Sequence, residues 1–147
     1  MRAVRVTAAH LAGIAKLEAL VFAEPWSESA LALLLTEQAL GFVCLDDAAT
    51  PIAYVGMLTV LDEGQITNVV THPDHRRRGL ADCLLEALLA EARARGLTTL
   101  SLEVRESNAA AVALYQKHGF FVAGKRNNFY KNPREHALVM LCNLSCR

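Results

Sequence analysis

Three consecutive arginines (residues 76–78) precede Gly79 and a helix-like pattern in the segment THPDHRRRGLADCLLEALLA. A helix start already carries unpaired N–H groups and partial positive charge, so cations are not expected to gather there. A bound anion explains the cluster, because N–H groups point at it and arginines add charge-assisted hydrogen bonds. The glycine lets the backbone approach such a ligand closely. The alternative is a solvated basic surface opposite Asp74 and Asp82.

A second candidate lies in the strand-like stretch TLSLEVR, which is apolar at positions 100, 102 and 104 and polar at 101, 103 and 105. Strand side chains alternate between faces, and a central strand covered on both faces is usually apolar on both. A polar face therefore indicates that Glu103 looks into a cleft. An edge strand with a solvated face explains the alternation equally well.

Tyr115 follows Asn108 by seven residues, about two helical turns, so both are expected near one helix face. Asn108 is expected at or near the cap of this helix, and Gly119 just past its end. A tyrosine within AAAVALYQKHGF is, by residue type, more often part of a core than a catalytic group. The pattern leaves both roles open for Tyr115.

Cysteine and histidine spacing predicts no metal site. The four cysteines at positions 44, 83, 142 and 146 form no CxxC pair and have no zinc-ligand spacing, so reduced thiols in a cytoplasmic protein are expected. Cys83, on an apolar helix, is expected in the core rather than as a nucleophile. His72 and His75 have no further ligand types clustered with them.

Composition predicts one globular domain over residues 1–147. The chain is 53% hydrophobic and 20% charged, with a formal net charge of zero. Zero net charge argues against general nucleic-acid binding, which needs a broad basic field. No secretory signal is recognised, and no segment approaches the ~20 apolar residues of a membrane span. Any electrostatic recognition must come from local clusters.

The predicted element order is strand, two helices, three strands, helix, strand, helix and two final strands, the last two perhaps a hairpin. Thr7 is expected to cap the first helix, and Ser27 or Ser29 the second. Gly96 is expected to end the helix that follows the arginines. This order predicts a mixed α/β sheet covered by helices, antiparallel early and with a parallel crossover in the middle.

The segment Arg76-x-x-Gly79-x-Ala81 resembles the R/Q-x-x-G-x-G/A signature of the GCN5-related N-acetyltransferases (GNATs), in which consecutive amides hold the pyrophosphate of acetyl-CoA. PWSE, LDE, NVVTHPD, LEVRESNAAAVALYQKHGF, KRNNFY and REHALVM are similar, in order and spacing, to the bacterial RimI branch, over nearly the whole chain. The resemblance implies a GNAT fold, a mostly antiparallel sheet with a parallel splayed centre. It also implies acetyl transfer to the N-terminal alanine of a small-subunit ribosomal protein, by direct attack in a ternary complex.

The same resemblance implies roles for individual residues. Glu103 becomes the general base, and Tyr115 the general acid that protonates the departing CoA thiolate. A phenol of pKa ~10 stays protonated at neutral pH, and an α-amine of pKa ~8 needs only modest help from a base. The implied acetyl-CoA contacts are Val69, Val70, Thr71, Arg77, Arg78, Gly79, Leu80, Ala81, Asp82 and Asn108.

On the substrate side, the resemblance implies that Trp26, Glu63 and Tyr130 lie near the first residues of a basic ribosomal-protein tail, which nearby acids would complement. Trp26 is equally well explained as a residue that packs at a helix entry. His136 stands where an aspartate is usual. Acetylation of other protein N-termini, lysine side chains or small amines stays open, as does a non-catalytic acyl-CoA-binding module.

Overall fold

The computed structural model describes residues 2–144. Within them it contains four α-helices: α1 (Leu11–Val21), α2 (Glu28–Leu31), α3 (Leu80–Ala94) and α4 (Ala109–Lys117). It also contains seven strands: β1 (Ala3–Arg5), β2 (Ala39–Leu45), β3 (Pro51–Val60), β4 (Glu63–Thr71), β5 (Thr99–Arg105), β6 (Phe121–Tyr130) and β7 (Glu135–Asn143). The predicted order of elements is confirmed.

The strands form one sheet in the order β1-β2-β3-β4-β5-β7-β6. Every neighbouring pair is antiparallel except β4 and β5, so the predicted mixed sheet with a parallel crossover is confirmed. The parallel pairing covers only residues 63–65 and 99–101, and the two strands are not paired beyond that within the described chain. Their carboxyl ends therefore separate and leave a gap in the middle of the sheet.

The interpretation of β5 as an edge strand is wrong, because β5 lies between β4 and β7. Its alternation is nevertheless real: residues 100, 102 and 104 are buried, while 101, 103 and 105 are only partly buried. A central strand can keep a polar face here because its neighbour β4 turns away from it. The polar face of β5 borders the gap.

Local signals explain how the helices begin and end. The Ser27 hydroxyl caps α2 by accepting a hydrogen bond from the Ala30 N–H at 3.1 Å. The predicted second helix is divided: α2 has four residues and continues as a 3-10 turn over Ala32–Leu35. Gly96, with φ +78°, follows α3 in the left-handed conformation expected of a residue that ends a helix.

Apolar clusters cover the two faces of the sheet. We call them the α3-side core, which includes Leu84, Leu88 and Leu100, and the α1-side cluster, which includes Ile14 and Leu17. Residues i, i+3 and i+4 share one helix face, so the apolar stripes read from the sequence are the buried faces of α1 and α3. Within residues 2–144, no helix is both long and apolar enough to cross a membrane.

The last two strands pair antiparallel, as predicted. The inner position belongs to β7, whose Ala137 and Met140 are fully buried, while β6 is exposed along nearly its whole length. Burial therefore decides which strand of the hairpin joins β5.

Three cysteines lie in or against the core, as was expected for Cys83. Cys44 and Cys142 are buried, and Cys83 packs against the α3-side core. Burial, together with the neighbouring Cys83, raises the pKa of the Cys44 thiol to about 12. No disulfide is present among the described residues, and Cys146 lies outside them.

Candidate active site

A cavity of about 790 Å³ occupies the gap between β4 and β5, a volume within the range of small-molecule sites. Residues of β4 (Thr67, Asn68, Val69, Thr71) form one wall and residues of β5 (Glu103, Val104, Arg105) form the other. The segment from His75 to Asp82 (except Arg78), the start and one face of α4, and the residues Phe22 and Tyr130 complete the lining. We refer to this cavity as the cleft.

The loop before α3 has a backbone suited to an anion. Arg77 and Gly79 both have positive φ, +65° and +75°. A Cβ placed on Gly79 would meet no atom within 4 Å, so space is open in front of the backbone there. The first hydrogen bond into α3 is donated by the Cys83 N–H to the Gly79 carbonyl. The N–H groups of residues 80–82 come before the first helical hydrogen bond, so they are available to a ligand.

The arginines divide between the cleft and the surface. Arg77 lines the cleft as expected, whereas Arg78 is not among the lining residues and contacts the His75 ring at 3.2 Å. Arg76, which was not among the expected acetyl-CoA contacts, does line the cleft. The signal for Arg76 was present, because it is the first residue of the quoted signature.

Asp82 joins two helices at the cleft edge. Its carboxylate accepts hydrogen bonds from His118 at 2.7 Å and Lys117 at 3.0 Å. These bonds hold the pKa of Asp82 below its usual value. The start of α3 is thereby fixed to the end of α4, and the side chain of Asp82 is already engaged.

The last three residues of the strand before the loop alternate in facing the cleft. Val69 and Thr71 line it. Val70 between them is 2% exposed and packs in the α1-side cluster, so only its backbone is placed for a role at the cleft. Asn108 lines the cleft and caps α4, accepting the Ala111 N–H at 3.1 Å.

Glu103 reaches the cleft from β5, with a side chain 17% exposed. Arg126 of β6 donates a hydrogen bond to its Oε2 at 2.5 Å. This partner was not expected from sequence, because it depends on β6 lying next to β7. The bond occupies one of the two carboxylate oxygens and orients the carboxylate.

Tyr115 belongs to the core and to the cleft at once. Its side chain is buried and packs against Phe120 in an edge-to-face contact with ring centroids 5.9 Å apart. Burial raises the pKa of Tyr115 to about 12, and the nearby Tyr130 adds to the shift. The hydroxyl therefore stays protonated throughout the physiological range. The two roles left open by the sequence are compatible.

Tyr130 lines the cleft and is held by Arg105, a residue for which the sequence predicts no role. The Arg105 guanidinium lies 4.5 Å from the Tyr130 ring centroid. It also donates hydrogen bonds to the carbonyls of Lys131 and Pro133 at 3.1 and 3.0 Å, and pairs with Glu135. Burial and the neighbouring Glu103 raise the pKa of Tyr130. Arg105 thus fixes the loop after β6.

Two of the three expected substrate residues lie outside the cleft lining. Glu63 pairs with Thr99 at the beginning of β4, the opposite end of the strand from Thr71. Glu63 does not line the cleft, because a nine-residue strand separates the two ends, and its contact with the first residues of the peptide stays a prediction. Trp26 packs against the α1-side cluster, which favours the helix-entry explanation. Its backbone N–H donates to Glu18 at 3.0 Å.

Several residues that line the cleft were not predicted from the sequence. The apolar ones have no signal that separates them from core residues, because a cleft wall and a core have the same periodicity. The missed residues are Phe22, Thr67, Asn68, His75, Arg76, Val104, Arg105, Ala110, Ala111 and Leu114. Within residues 2–144, no group of three or more His, Cys, Asp or Glu side chains is placed to hold a metal ion.

Comparison with known proteins gives a consistent result. The model of the Acetyltransferase (GNAT) family matches residues 11–120. The chain is 42% identical over 123 residues to the [ribosomal protein bS18]-alanine N-acetyltransferase of Escherichia coli K12, covering 82% of each chain.

Solved structures agree in fold. The crystal structure of the ribosomal-protein-S18-alanine N-acetyltransferase from Escherichia coli matches with a TM-score of 0.89 and 37% identity, over 99% of this chain and 94% of that one. A phosphinothricin acetyltransferase from Sinorhizobium meliloti, solved with AcCoA, shares the fold at 19% identity and a TM-score of 0.83, over 96% and 86% of the chains.

Proposed function

Because this chain belongs to the GNAT family of acetyltransferases, we propose that it transfers an acetyl group from acetyl-CoA to the N-terminal alanine of ribosomal protein bS18. The observation that carries the proposal is the 42% identity with the Escherichia coli enzyme of that name over 82% of both chains. The fold match at a TM-score of 0.89 supports it. We treat residues 1–147 as one catalytic domain.

The cleft has the chemistry that acetyl-CoA requires. The open space at Gly79 and the N–H groups ahead of α3 suit a pyrophosphate, and Arg76 and Arg77 add positive charge at its rim. Val69 and Thr71 offer extended backbone along the cleft for the pantetheine arm. Acetyl-CoA supplies an activated thioester, and no metal is needed for an amine to attack it.

We propose direct attack of the neutral amine on the thioester. Glu103 accepts the proton that the amine loses, either directly or through water. As the new N–C bond forms and the C–S bond breaks, the Tyr115 hydroxyl gives its proton to the leaving sulfur. The raised pKa of Tyr115 keeps that proton available at the start of each turnover. Most of the rate gain comes from holding the two reactants together.

The proposed partner is the basic N-terminal segment of the ribosomal protein. Tyr130 at the cleft offers it an aromatic contact. A cytoplasmic location for the chain stays a prediction.

Mass spectrometry of peptide acetylation tests the proposal. The protein is incubated with acetyl-CoA and three peptides: a basic peptide beginning Ala-Arg, its N-terminally blocked twin, and a lysine-bearing control with a blocked N-terminus. We expect one acetyl group, on the free N-terminus only. Acetylation of lysine, or of none of the peptides despite acetyl-CoA binding, would contradict the proposed substrate and leave the assignment to the GNAT fold unchanged.

A further inference from the structure

A carboxylate is buried beside the cleft where the apolar environment does not favour one. Glu18 of α1 is 0% exposed and is the only charged residue among the buried side chains within the described chain. It lies next to the α1-side cluster, whose buried members are apolar apart from Tyr54. A buried carboxylate costs free energy unless hydrogen bonds compensate. Leucine would pack here at less cost, so the carboxylate needs a further explanation.

Three donors from three parts of the chain converge on Glu18. The Tyr54 hydroxyl of β3 donates to Oε2, and the Asn68 Nδ2 of β4 donates to the same oxygen at 2.9 Å. The backbone N–H of Trp26, between α1 and α2, donates to Oε1 at 3.0 Å. Burial and Glu18 raise the pKa of Tyr54, so its hydroxyl stays a donor. The four groups form what we call the Glu18 network.

The side chain of Glu18 reaches the cleft lining in two ways. It holds Asn68, which lines the cleft, and it holds the Trp26 N–H, four residues after the cleft residue Phe22 that ends α1. The Trp26 bond folds the segment after Phe22 back onto α1. Glu18 therefore joins the α1 edge of the cleft to the β4 wall.

Stability does not account for the arrangement. Asn68 Oδ1 is buried and has no hydrogen-bond partner among the described residues. An unpaired buried acceptor costs ~1–3 kcal/mol. A buried carboxylate and an unpaired amide oxygen, side by side, are both unfavourable compared with apolar packing. Such an arrangement is expected where the orientation of a wall matters more than its stability.

The Glu18 network lies on the opposite face of the sheet from the acetyl-CoA loop. Asn68 shares a strand face with Val70, which packs in the α1-side cluster, whereas Leu80 after the loop packs in the α3-side core. The cleft reaches from this loop through the gap to Phe22. If acetyl-CoA enters from the α3 face, as the proposed function requires, the amine approaches from the α1 face.

We propose that Glu18 is a positioning residue for the amine-side wall of the cleft: its side chain fixes Asn68 and the segment from Phe22 to Trp26 where the first residue of the peptide binds. The inference rests on the proposed function. Glu18 does not touch the acetyl-CoA loop, so its removal weakens peptide binding and leaves acetyl-CoA binding intact.

Two variants separate positioning from stability. The triple variant Glu18→Leu, Tyr54→Phe, Asn68→Leu makes the site apolar and leaves none of these three side chains unpaired, and only the Trp26 N–H loses its acceptor. The single variant Glu18→Gln keeps the size of the side chain and one acceptor oxygen. Steady-state kinetics with the Ala-Arg peptide, acetyl-CoA titration and thermal melting are measured for both and for wild type.

We expect the triple variant to melt near the wild-type temperature, with KM for the peptide raised about tenfold and the acetyl-CoA Kd within about twofold. KM of Glu18→Gln is expected to lie between wild type and the triple variant. Unchanged peptide KM in an active enzyme would overturn the inference, as would equal loss of peptide and acetyl-CoA binding. If the triple variant does not fold, Glu18→Gln decides by the same criteria. Wild-type protein that acetylates no peptide would reject the proposed function and this inference with it.

Discussion

The β4 wall of the cleft belongs to a half of the sheet that is covered on both faces, whereas the β5 wall belongs to a half whose outer strand is exposed. In the first half, β2 is buried over all but its last residue, between the α1-side cluster and the α3-side core. In the second half, β6 is exposed along nearly its whole length. The two halves pair directly over only three residues of each central strand.

The two halves also hold their cleft residues differently. The backbone of the loop at Gly79 is held in place because the helix that follows it, α3, packs its leucines in the core. Glu103 is held by an ion pair to Arg126 of β6 at 2.5 Å, and the neighbouring Glu106, outside the cleft lining, by one to Lys125 at 2.6 Å. The Arg126 and Lys125 side chains are exposed, and ion pairs to exposed partners contribute only ~0–1 kcal/mol each, so these two side chains can leave the carboxylates at small cost. A rigid half therefore suits cofactor binding, and a more adaptable half suits proton transfer.

The largest expected effect comes from Tyr115 of α4, which packs in the α3-side core and lines the cleft. Tyr115→Phe removes the proposed proton donor but keeps the ring that packs on Phe120. We expect kcat to fall about 100-fold, the lower end of general acid catalysis, with acetyl-CoA affinity nearly intact. Steady-state kinetics and calorimetric titration measure the two quantities. Normal turnover of Tyr115→Phe would show that Tyr115 has only a structural role.

Glu103→Gln is expected to have a smaller, pH-dependent effect. An α-amine of pKa ~8 is mostly protonated at low pH and mostly neutral above its pKa, so a base matters most at low pH. We expect a loss of about tenfold near pH 6 that narrows towards pH 9. Glu106→Gln is the matched control, because it also breaks an ion pair to β6 but lies outside the cleft lining. An equal loss at every pH would remove the base assignment.

On the rigid half, Gly79→Ala tests cofactor binding alone. A left-handed backbone costs a residue with a Cβ ~1–2 kcal/mol, and the added methyl enters the space proposed for the pyrophosphate. We expect acetyl-CoA Kd to rise about tenfold. Gly96→Ala is the control: its φ of +78° imposes similar strain, and its Cβ also meets no atom within 4 Å. Equal effects of both variants on Kd would show that strain, not contact, is responsible.

The smallest effect concerns Asp82, which links the halves. His118 and Lys117 lower the pKa of Asp82, so its contribution to stability is present above the ordinary value of 3.8 and is lost as pH falls through the lower folded value. Asp82→Asn should be slightly less stable at pH 7 and lose less stability on acidification below about 3.8 than wild type. Thermal melts from pH 7 to 2.5, with Asp47→Asn as control, measure this. If the melting temperatures of Asp82→Asn and wild type fell equally as the pH is lowered, the proposed contribution of Asp82 would be contradicted.

Much of the fold was predictable from sequence because its signals are local. The spacing of apolar residues predicted the buried faces of α1 and α3. Ser27, Asn108 and Gly96 marked where helices begin or end. The predicted second helix was only partly right, because a regular apolar pattern does not distinguish an α-helix from an α-helical turn followed by a 3-10 turn. Periodicity also could not decide whether β5 was central or at an edge.

The sequence by itself determined most of the elements, since each depends on residues close together in the chain. Its resemblance to a known family added the acetyl-CoA signature and the candidates Glu103 and Tyr115. The tertiary structure alone decided that β7 enters between β5 and β6, which brings Arg126 to Glu103. It also placed Glu63 away from the cleft and gathered Tyr54 and Asn68 around Glu18. These outcomes depend on strand pairing and burial between distant segments, for which a linear pattern carries no signal.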